Sequence, residues 1–299
     1  MRVLLVTTLL VALVLPSGRA SDSPAIDISA EDLQTLQTQA AQGNTEAQFN
    51  LGVLYDNGRG VPQDSGKARQ WWEQAAAHGN AKAEYNLGQM YVHGDGVPQD
   101  YGKARQWWER AAAQGYADAQ LFLGELYFNG HGHSVPQDYA KARQWFEKAA
   151  VQGDAMAQSF LGVLYVGGHG VPQDYGKARQ WWEQAASQGN GSAEIFLGEM
   201  YAHGKGVPQD YGKARQWYEK AAVHGFAMAR YYLAVLYANG QGVPQDYVRA
   251  YMWYSLAAVG KQGPAADNRD EIARLMTPEQ IAEAQRLAQQ CQTQQFKGC

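Results

Sequence analysis

The sequence predicts an all-α chain, an α-solenoid of six stacked helix–turn–helix repeats closed at both ends by capping helices. Three observations carry this. Trp71, Trp107, Trp145, Trp181, Trp217 and Trp253 recur at intervals of 36, 38, 36, 36 and 36 residues. Tyr55, Tyr91, Tyr127, Tyr165, Tyr201 and Tyr237 keep the same rhythm, with the long step one interval later. Each copy holds two apolar stripes of helical period, separated by a glycine-rich turn that closes on Val-Pro-Gln-Asp. Self-similarity of this period marks an array in which each unit buries its apolar face against the next.

The chain opens with Arg2, an apolar run from Val3 to Leu15, and then Pro16, Ser17, Gly18, Arg19 and Ala20. This is the anatomy of a secretory signal peptide over residues 1–20, with cleavage expected after Ala20. An uncleaved anchor is the bland alternative, but the run is short for a bilayer span. No Cys follows it, so a lipid anchor is not expected. Cleavage places the protein in the periplasm or outside the cell, and no stable membrane insertion is expected afterwards. Loss of Arg2 and Arg19 takes the formal charge from −4 to −6. A mildly acidic chain without a basic block disfavours nucleic acid as a partner.

Residues 21–43 are read as an N-terminal cap. Ser29 can cap a helix from Ala30 to Gln42, with Asp32 three residues on. Leu36, Ala40 and Gly43 stand where the repeats have Trp72, Ala76 and Gly79, a half-repeat without its aromatics.

The repeats run over 44–260, as 44–79, 80–115, 116–153, 154–189, 190–225 and 226–260, with His133 and Ser134 inserted in the third. In the first copy Ala47, Leu51, Leu54 and Tyr55 share one helix face. Gly58 and Gly60 end that helix, Gly58 as a left-handed cap. Pro62 keeps Val61 out of helix, and Asp64 is placed to N-cap the second helix. Ala68, Trp71, Trp72, Ala75 and Ala76 form the second helix's apolar face, and it ends at Gly79. Chain-wide Gly is high, at 33 residues, so the glycines belong mostly at helix ends. Gly52 is an exception inside the first helix, repeated as Gly88, Gly124, Gly162 and Gly198 and replaced by Ala234 in the last copy. A mid-helix Gly costs about 1 kcal/mol against Ala. Close approach of a neighbouring helix, under the bulky Trp pair, is the expected reason. All nine Trp lie at two adjacent positions of the second helix. One helix pair cannot bury two such side chains, so stacking should do it, and core packing is a simpler reading than ligand stacking.

In the sixth repeat Tyr251, Met252 and Leu256 replace Arg, Gln and Gln of the first copy. That apolar face needs a cover, expected from helices over Ala265–Met276 and from Thr277 to about Gln290, within 261–290. Thr277, Pro278, Glu279 and Gln280 write a capping box with Pro at N1. Residues 291–299 read as a mobile tail. They contain Cys291 and Cys299, a possible disulfide that would tie down the tail rather than the fold.

The repeated pattern A-x-x-x-L-G-x-x-Y-x-x-G-x-G-V-P-Q-D-Y-x-K-A-x-x-W-x-x-x-A-A-x-x-G resembles the Sel-1-like repeat family. It reads here from Ala83, Leu87, Gly88 and Tyr91 through Gly94, Gly96, Val97, Pro98, Asp100, Lys103, Ala104 and Trp107 to Ala111, Ala112 and Gly115. Met276–Leu287 also resembles the terminal helix of bacterial members. The resemblance implies a right-handed, tetratricopeptide-like α/α superhelix and a non-enzymatic adaptor for protein partners in envelope assembly, signalling or host contact. It leaves a second reading open, a protein that binds or hydrolyses β-lactams or peptidoglycan fragments. The relatives that act so rely on a disulfide in each repeat, which this chain lacks.

Variation among the copies marks where a partner would dock. Three rows change while the core positions repeat. The first is Phe49, Tyr85, Leu121, Ser159, Ile195 and Tyr231. The second is Val53, Gln89, Glu125, Val163, Glu199 and Val235. The third is Asn57, His93, Asn129, Gly167, His203 and Asn239. The i, i+4, i+8 spacing puts them on one face of the first helix, which lines the concave side in tetratricopeptide-like stacks. Aromatic, amide and His side chains suit a protein surface. The Phe49 row is equally readable as packing against the next repeat.

Lys67 and Arg69 recur in five repeats beside Asp64 and Glu73, and such mixed rows read as a solvated, paired face. His131 and His133 form an H-x-H pair, with His169 at the place of His131 in the next copy. No acidic or thiol ligand recurs with them, so neither metal nor cofactor is expected. No nucleophile motif or phosphate loop appears, and near-identical copies offer no unique catalytic site. The expected protein is a monomer without catalytic residues.

Overall fold

The structure, a computed structural model, describes residues 29–258 and 263–299. The leader expected over 1–20 lies outside the described residues, as do residues 21–28 of the expected cap. Fifteen helices occur among the described residues. α1 is Ala30–Ala41. Six pairs follow: α2 Thr45–Asn57 and α3 Ser65–Ala77; α4 Ala81–His93 and α5 Tyr101–Ala113; α6 Ala117–Asn129 and α7 Tyr139–Val151. The last three pairs are α8 Ala155–Gly167 and α9 Tyr175–Ser187; α10 Gly191–His203 and α11 Tyr211–Val223; α12 Ala227–Asn239 and α13 Tyr247–Ala257. α14 is Pro264–Ala273 and α15 is Pro278–Thr293.

Short-range chemistry sets these boundaries. Asp64, Asp100, Asp138, Asp174, Asp210 and Asp246 each N-cap a second helix, their carboxylates accepting the N–H of the residue three on, as in Lys67 N to Asp64 Oδ1 at 2.9 Å. Gly58 ends α2 with φ at 66°, a left-handed cap open to glycine without strain. The glutamine of each turn satisfies a carbonyl left over at the end of the first helix. Gln63 Nε2 donates to Asp56 O at 2.7 Å, and the same bond recurs from Gln99, Gln137, Gln173, Gln209 and Gln245. Asp64 N also donates to Tyr55 O at 2.9 Å, which folds the turn back on its helix. The two-residue insertion forms a small loop in which His131 N donates to Val135 O at 2.6 Å, with Val135 buried and His133 and Ser134 exposed.

The contacts divide the chain into two units, one ending at Gln114 and one beginning at Gly115. In the first, α1 packs on α2, with Leu33 and Leu36 against Ala40, Ala47 and Leu51. Ser29 caps α1 by accepting from Asp32 N at 3.1 Å. The next layer joins Ala68, Trp72, Ala75 and Ala76 of α3 to Ala83, Leu87 and Met90 of α4.

In the second unit the layers are sealed by aromatic stacking between one repeat's second helix and the next repeat's first. Phe146 stacks on Phe160 at 4.7 Å, Trp182 on Phe196 at 4.8 Å and Tyr218 on Tyr232 at 4.9 Å. α14 and α15 both pack on α13, covering Met252, Trp253, Tyr254 and Leu256. Thr277 and Gln280 complete the capping box of α15.

The internal glycines have the expected cause. A β-carbon built on Gly52 or Gly88 would overlap the indole of Trp72 or Trp108. In the second unit Gly124, Gly162 and Gly198 make the same room for Phe146, Trp182 and Tyr218. The seated indoles also donate Nε1–H to backbone carbonyls, Trp72 to Phe49 O at 3.2 Å, Trp108 to Tyr85 O at 3.1 Å and Trp182 to Ser159 O at 3.0 Å.

Two expectations are corrected. Only the second Trp of each pair is core. Trp71, Trp107, Trp145, Trp181 and Trp217 stay half-buried, because adjacent helix positions point about 100° apart and one helix presents one of them to the core. Trp253 is the buried exception, under the capping helices. The second concerns the end of the last helix, expected near Gln290. α15 continues to Thr293, and a Cys291–Cys299 disulfide draws the end back so that Phe296 packs against the core of the capping region.

Candidate protein-binding face

The three variable rows separate by depth. In the first unit Phe49 is half-buried, with Lys82 Nζ 5.7 Å from its ring centroid, while Tyr85 is only 4% exposed. Val53, Asn57 and Gln89 are half-buried, and Gln89 Nε2 donates to Tyr85 OH at 2.6 Å. His93 is exposed. In the second unit Leu121, Ser159 and Ile195 are buried, and Tyr231 is half-buried with its hydroxyl accepting from Asn268 at 3.2 Å. Val163 is buried, Glu199 and Val235 are half-buried, and Asn129, Gly167, His203 and Asn239 are exposed. The first row is therefore mostly packing, and the outward row is the third, at the C-terminal ends of the first helices.

Glu125 departs from the surface role expected of it. It is 6% exposed, and its buried Oε2 has no hydrogen-bond partner. Burial, reinforced by the Asp154 carboxylate, pushes its pKa up to about 7. Its counterpart Glu199 instead accepts from Tyr232 OH at 2.6 Å.

A row that sequence reasoning passed over ties the first helices to the ends of neighbouring helices. Gln48, Glu84, Gln120, Gln158, Glu194 and Arg230 follow the buried alanines of the first helices. Glu84 pairs with Arg110 at 3.0 Å and accepts from Gln114 at 2.6 Å. Gln120 and Gln158 accept from Gln152 and Gln188 at 2.8 and 2.9 Å. Glu194 pairs with His224 Nδ1 at 2.9 Å. Arg230 donates to Leu256 O and Ala222 O, both at 3.3 Å. Burial raises the pKa of Glu84 and Glu194, opposed by Arg110 and Gln114 in one case and His224 in the other. The signal was available: a polar residue at constant offset inside an apolar stripe, reaching the far end of its own second helix in repeats two to six, while Gln48 Nε2 donates back to Ala40 O of α1 at 3.2 Å.

The basic rows are internally compensated. Lys67 lies 3.8 Å from Asp64 and 5.1 Å from the Tyr55 ring centroid, and Arg69 pairs with Glu73 at 3.4 Å, a pattern repeated through Lys213 and Arg215. The half-buried tryptophans take cations too, with Lys148 Nζ 3.9 Å from the Trp145 centroid and Lys220 Nζ 4.1 Å from that of Trp217. His131 is half-buried, and burial lowers its pKa, while His169 stacks on Tyr139 at 4.6 Å. Among the described residues no group of three or more His, Cys, Asp or Glu side chains is placed to hold a metal, and no helix is long and apolar enough to cross a membrane.

The Sel1 repeat family matches residues 45–80, 81–116, 117–154, 155–190, 191–225 and 227–258. A solved Sel1 repeat protein from Oxalobacter formigenes is 34% identical, over 78% of this chain and 93% of that one, with a TM-score of 0.69. A protective antigen with an SLR fold, present in uropathogenic Escherichia coli strains, is 25% identical over 87% of this chain and 86% of that one, with a TM-score of 0.37. A comparison with curated proteins returns no match. Six matched repeats, the all-helical fold and the Oxalobacter neighbour lead to one conclusion: the chain belongs to the Sel1 repeat family, a solenoid fold that generally serves as a protein–protein interaction scaffold.

Proposed function

We propose that this protein is a non-enzymatic adaptor, exported to the periplasm or beyond, that docks a protein partner on the outward part of its first-helix face. The observation that carries the reading is a division of labour within each repeat. Positions that hold the helices together are the same in almost every copy, as in the buried Ala47, Ala83, Ala119, Ala157, Ala193 and Ala229. The row at the helix ends is free to differ: Asn57, His93, Asn129, Gly167, His203 and Asn239. Side chains that pack nothing essential yet change chemistry from repeat to repeat are those a scaffold can devote to recognition. The leader-like segment supports export, and the paired basic rows leave no cationic stripe for nucleic acid.

Crosslinking of the tagged protein in envelope fractions, followed by mass spectrometry, tests this. A specific partner should be recovered, and recovery should fall at least about tenfold when Asn57 and His93 are changed together to Ala, with the melting temperature unchanged. Undiminished capture by that variant would remove this face from the interaction. Detection of the mature protein in the cytoplasm would refute export.

A further inference from the structure

The end of the chain is built as a strap. Cys291 lies in the last turn of α15 and is 2% exposed, while Cys299 is half-buried, eight residues further on. Between them the chain reverses sharply. Gln295 and Phe296 take φ values of 52° and 61°, left-handed positions that non-glycine residues seldom adopt. Phe296 N donates to Cys291 O at 2.9 Å, which closes the turn. The Phe296 ring then lies on the Arg230 guanidinium, 3.7 Å from ring centroid to Cζ. Arg230 is the cation of the otherwise amide and carboxylate row, and its own bonds reach Ala222 O and Leu256 O, the ends of α11 and α13. The strap thus lids the point where the last repeat's helices are tied together.

We propose that the Cys291–Cys299 bond is a redox-operated latch, and that a dithiol reductant releases residues 294–299 from Arg230 without unravelling the repeats. Cys299 is the more accessible sulfur and receives the attack. A reductant thiolate forms a mixed disulfide with Cys299 Sγ as the Cys291–Cys299 bond breaks, and Cys291 leaves as a thiolate that takes a proton. The second reductant thiol then displaces Cys299 as a thiol. Two electrons pass to the protein, two cysteine thiols form, and the reductant becomes a disulfide. With the crosslink gone, the Phe296 N–Cys291 O bond, the packing of Phe296 and its contact with Arg230 are noncovalent holds, and the two consecutive left-handed residues favour release. α14 and α15 keep their packing on α13, since the closed loop constrains only the tail.

Chymotrypsin cleavage after Phe296 of the full chain, followed by intact mass, reads the latch directly. Cleavage should accelerate at least about tenfold in the dithiothreitol-reduced protein and in Cys299→Ser, relative to the oxidised protein, with unchanged helical circular dichroism and melting. Equal rates in all three forms would show that the strap holds without the bond and would overturn the proposal. Loss of helical signal on reduction would overturn it as well, by making the bond a support of the fold rather than a latch. Neither outcome depends on a partner, so the docking reading is tested separately.

Discussion

Replacing Gly162 by Ala should destabilise the protein, against the ordinary rule for helix interiors. An exposed Gly→Ala change in a helix gains about 1 kcal/mol. At Gly162 the new β-carbon would overlap the Trp182 indole, which is 3% exposed and has its Nε1–H engaged by Ser159 O at 3.0 Å. Overpacking of this kind costs about 1–3 kcal/mol, and losing the indole hydrogen bond adds about 1 kcal/mol. The balance is a net loss of about 1–3 kcal/mol, or a fall of about 2–10 °C in melting temperature by far-UV circular dichroism. The decisive measurement is a double-mutant cycle with Trp182→Ala. In that background the clash is absent, so Gly162→Ala should reverse sign and stabilise by about 1 kcal/mol. If Gly162→Ala is stabilising with Trp182 in place, or the sign does not reverse without it, the close-approach argument is wrong.

Other consequences are equally direct. Asp174→Ala should cost about 1 kcal/mol by uncapping α9, seen as faster hydrogen exchange at the amides of its first turn, Lys177 included. Phe146→Ala should cost about 3–5 kcal/mol in a denaturant or thermal melt, since that fully buried ring fills the space over Gly124 and stacks on Phe160. Glu125 should make stability fall as pH rises. Its folded pKa of about 7 lies above the ordinary carboxylate value of 4.5, so the stability it contributes is full below pH 4.5 and is lost as pH climbs through 7. Glu125→Gln should flatten that slope and raise stability at pH 8, by at most about 3 kcal/mol, in melts taken across the range. An unchanged pH profile in the variant would show that Glu125 is not the group responsible.

Helix ends were legible because their causes lie within a few residues. Asp64 and its repeats, Gly58, Ser29 and the Thr277 box form their caps with backbone atoms three or four positions away, so sequence spacing alone announces them. The pairing of Gly52 with an aromatic was also readable, since both recur at constant offset. The depth of the variable rows was not. Phe49 and Tyr85 occupy equivalent places in their repeats, yet one is half-buried and the other nearly closed off. Glu125 looked like a surface carboxylate on grounds of residue type, and its burial comes from neighbours that no periodicity names. Phe296 and Arg230 lie far apart in sequence, and no local pattern brings them together.

By itself the sequence determined the number of repeats, the helices in each, their caps and the small residues that let aromatics approach, because all of these are nearest-neighbour chemistry repeated in register. Only the tertiary structure decided which of two adjacent tryptophans enters the core, which variable row faces outward, and where the tail comes to rest. Those outcomes depend on surfaces supplied by other helices. Burial is a property of the packed neighbourhood, and no side chain carries it alone.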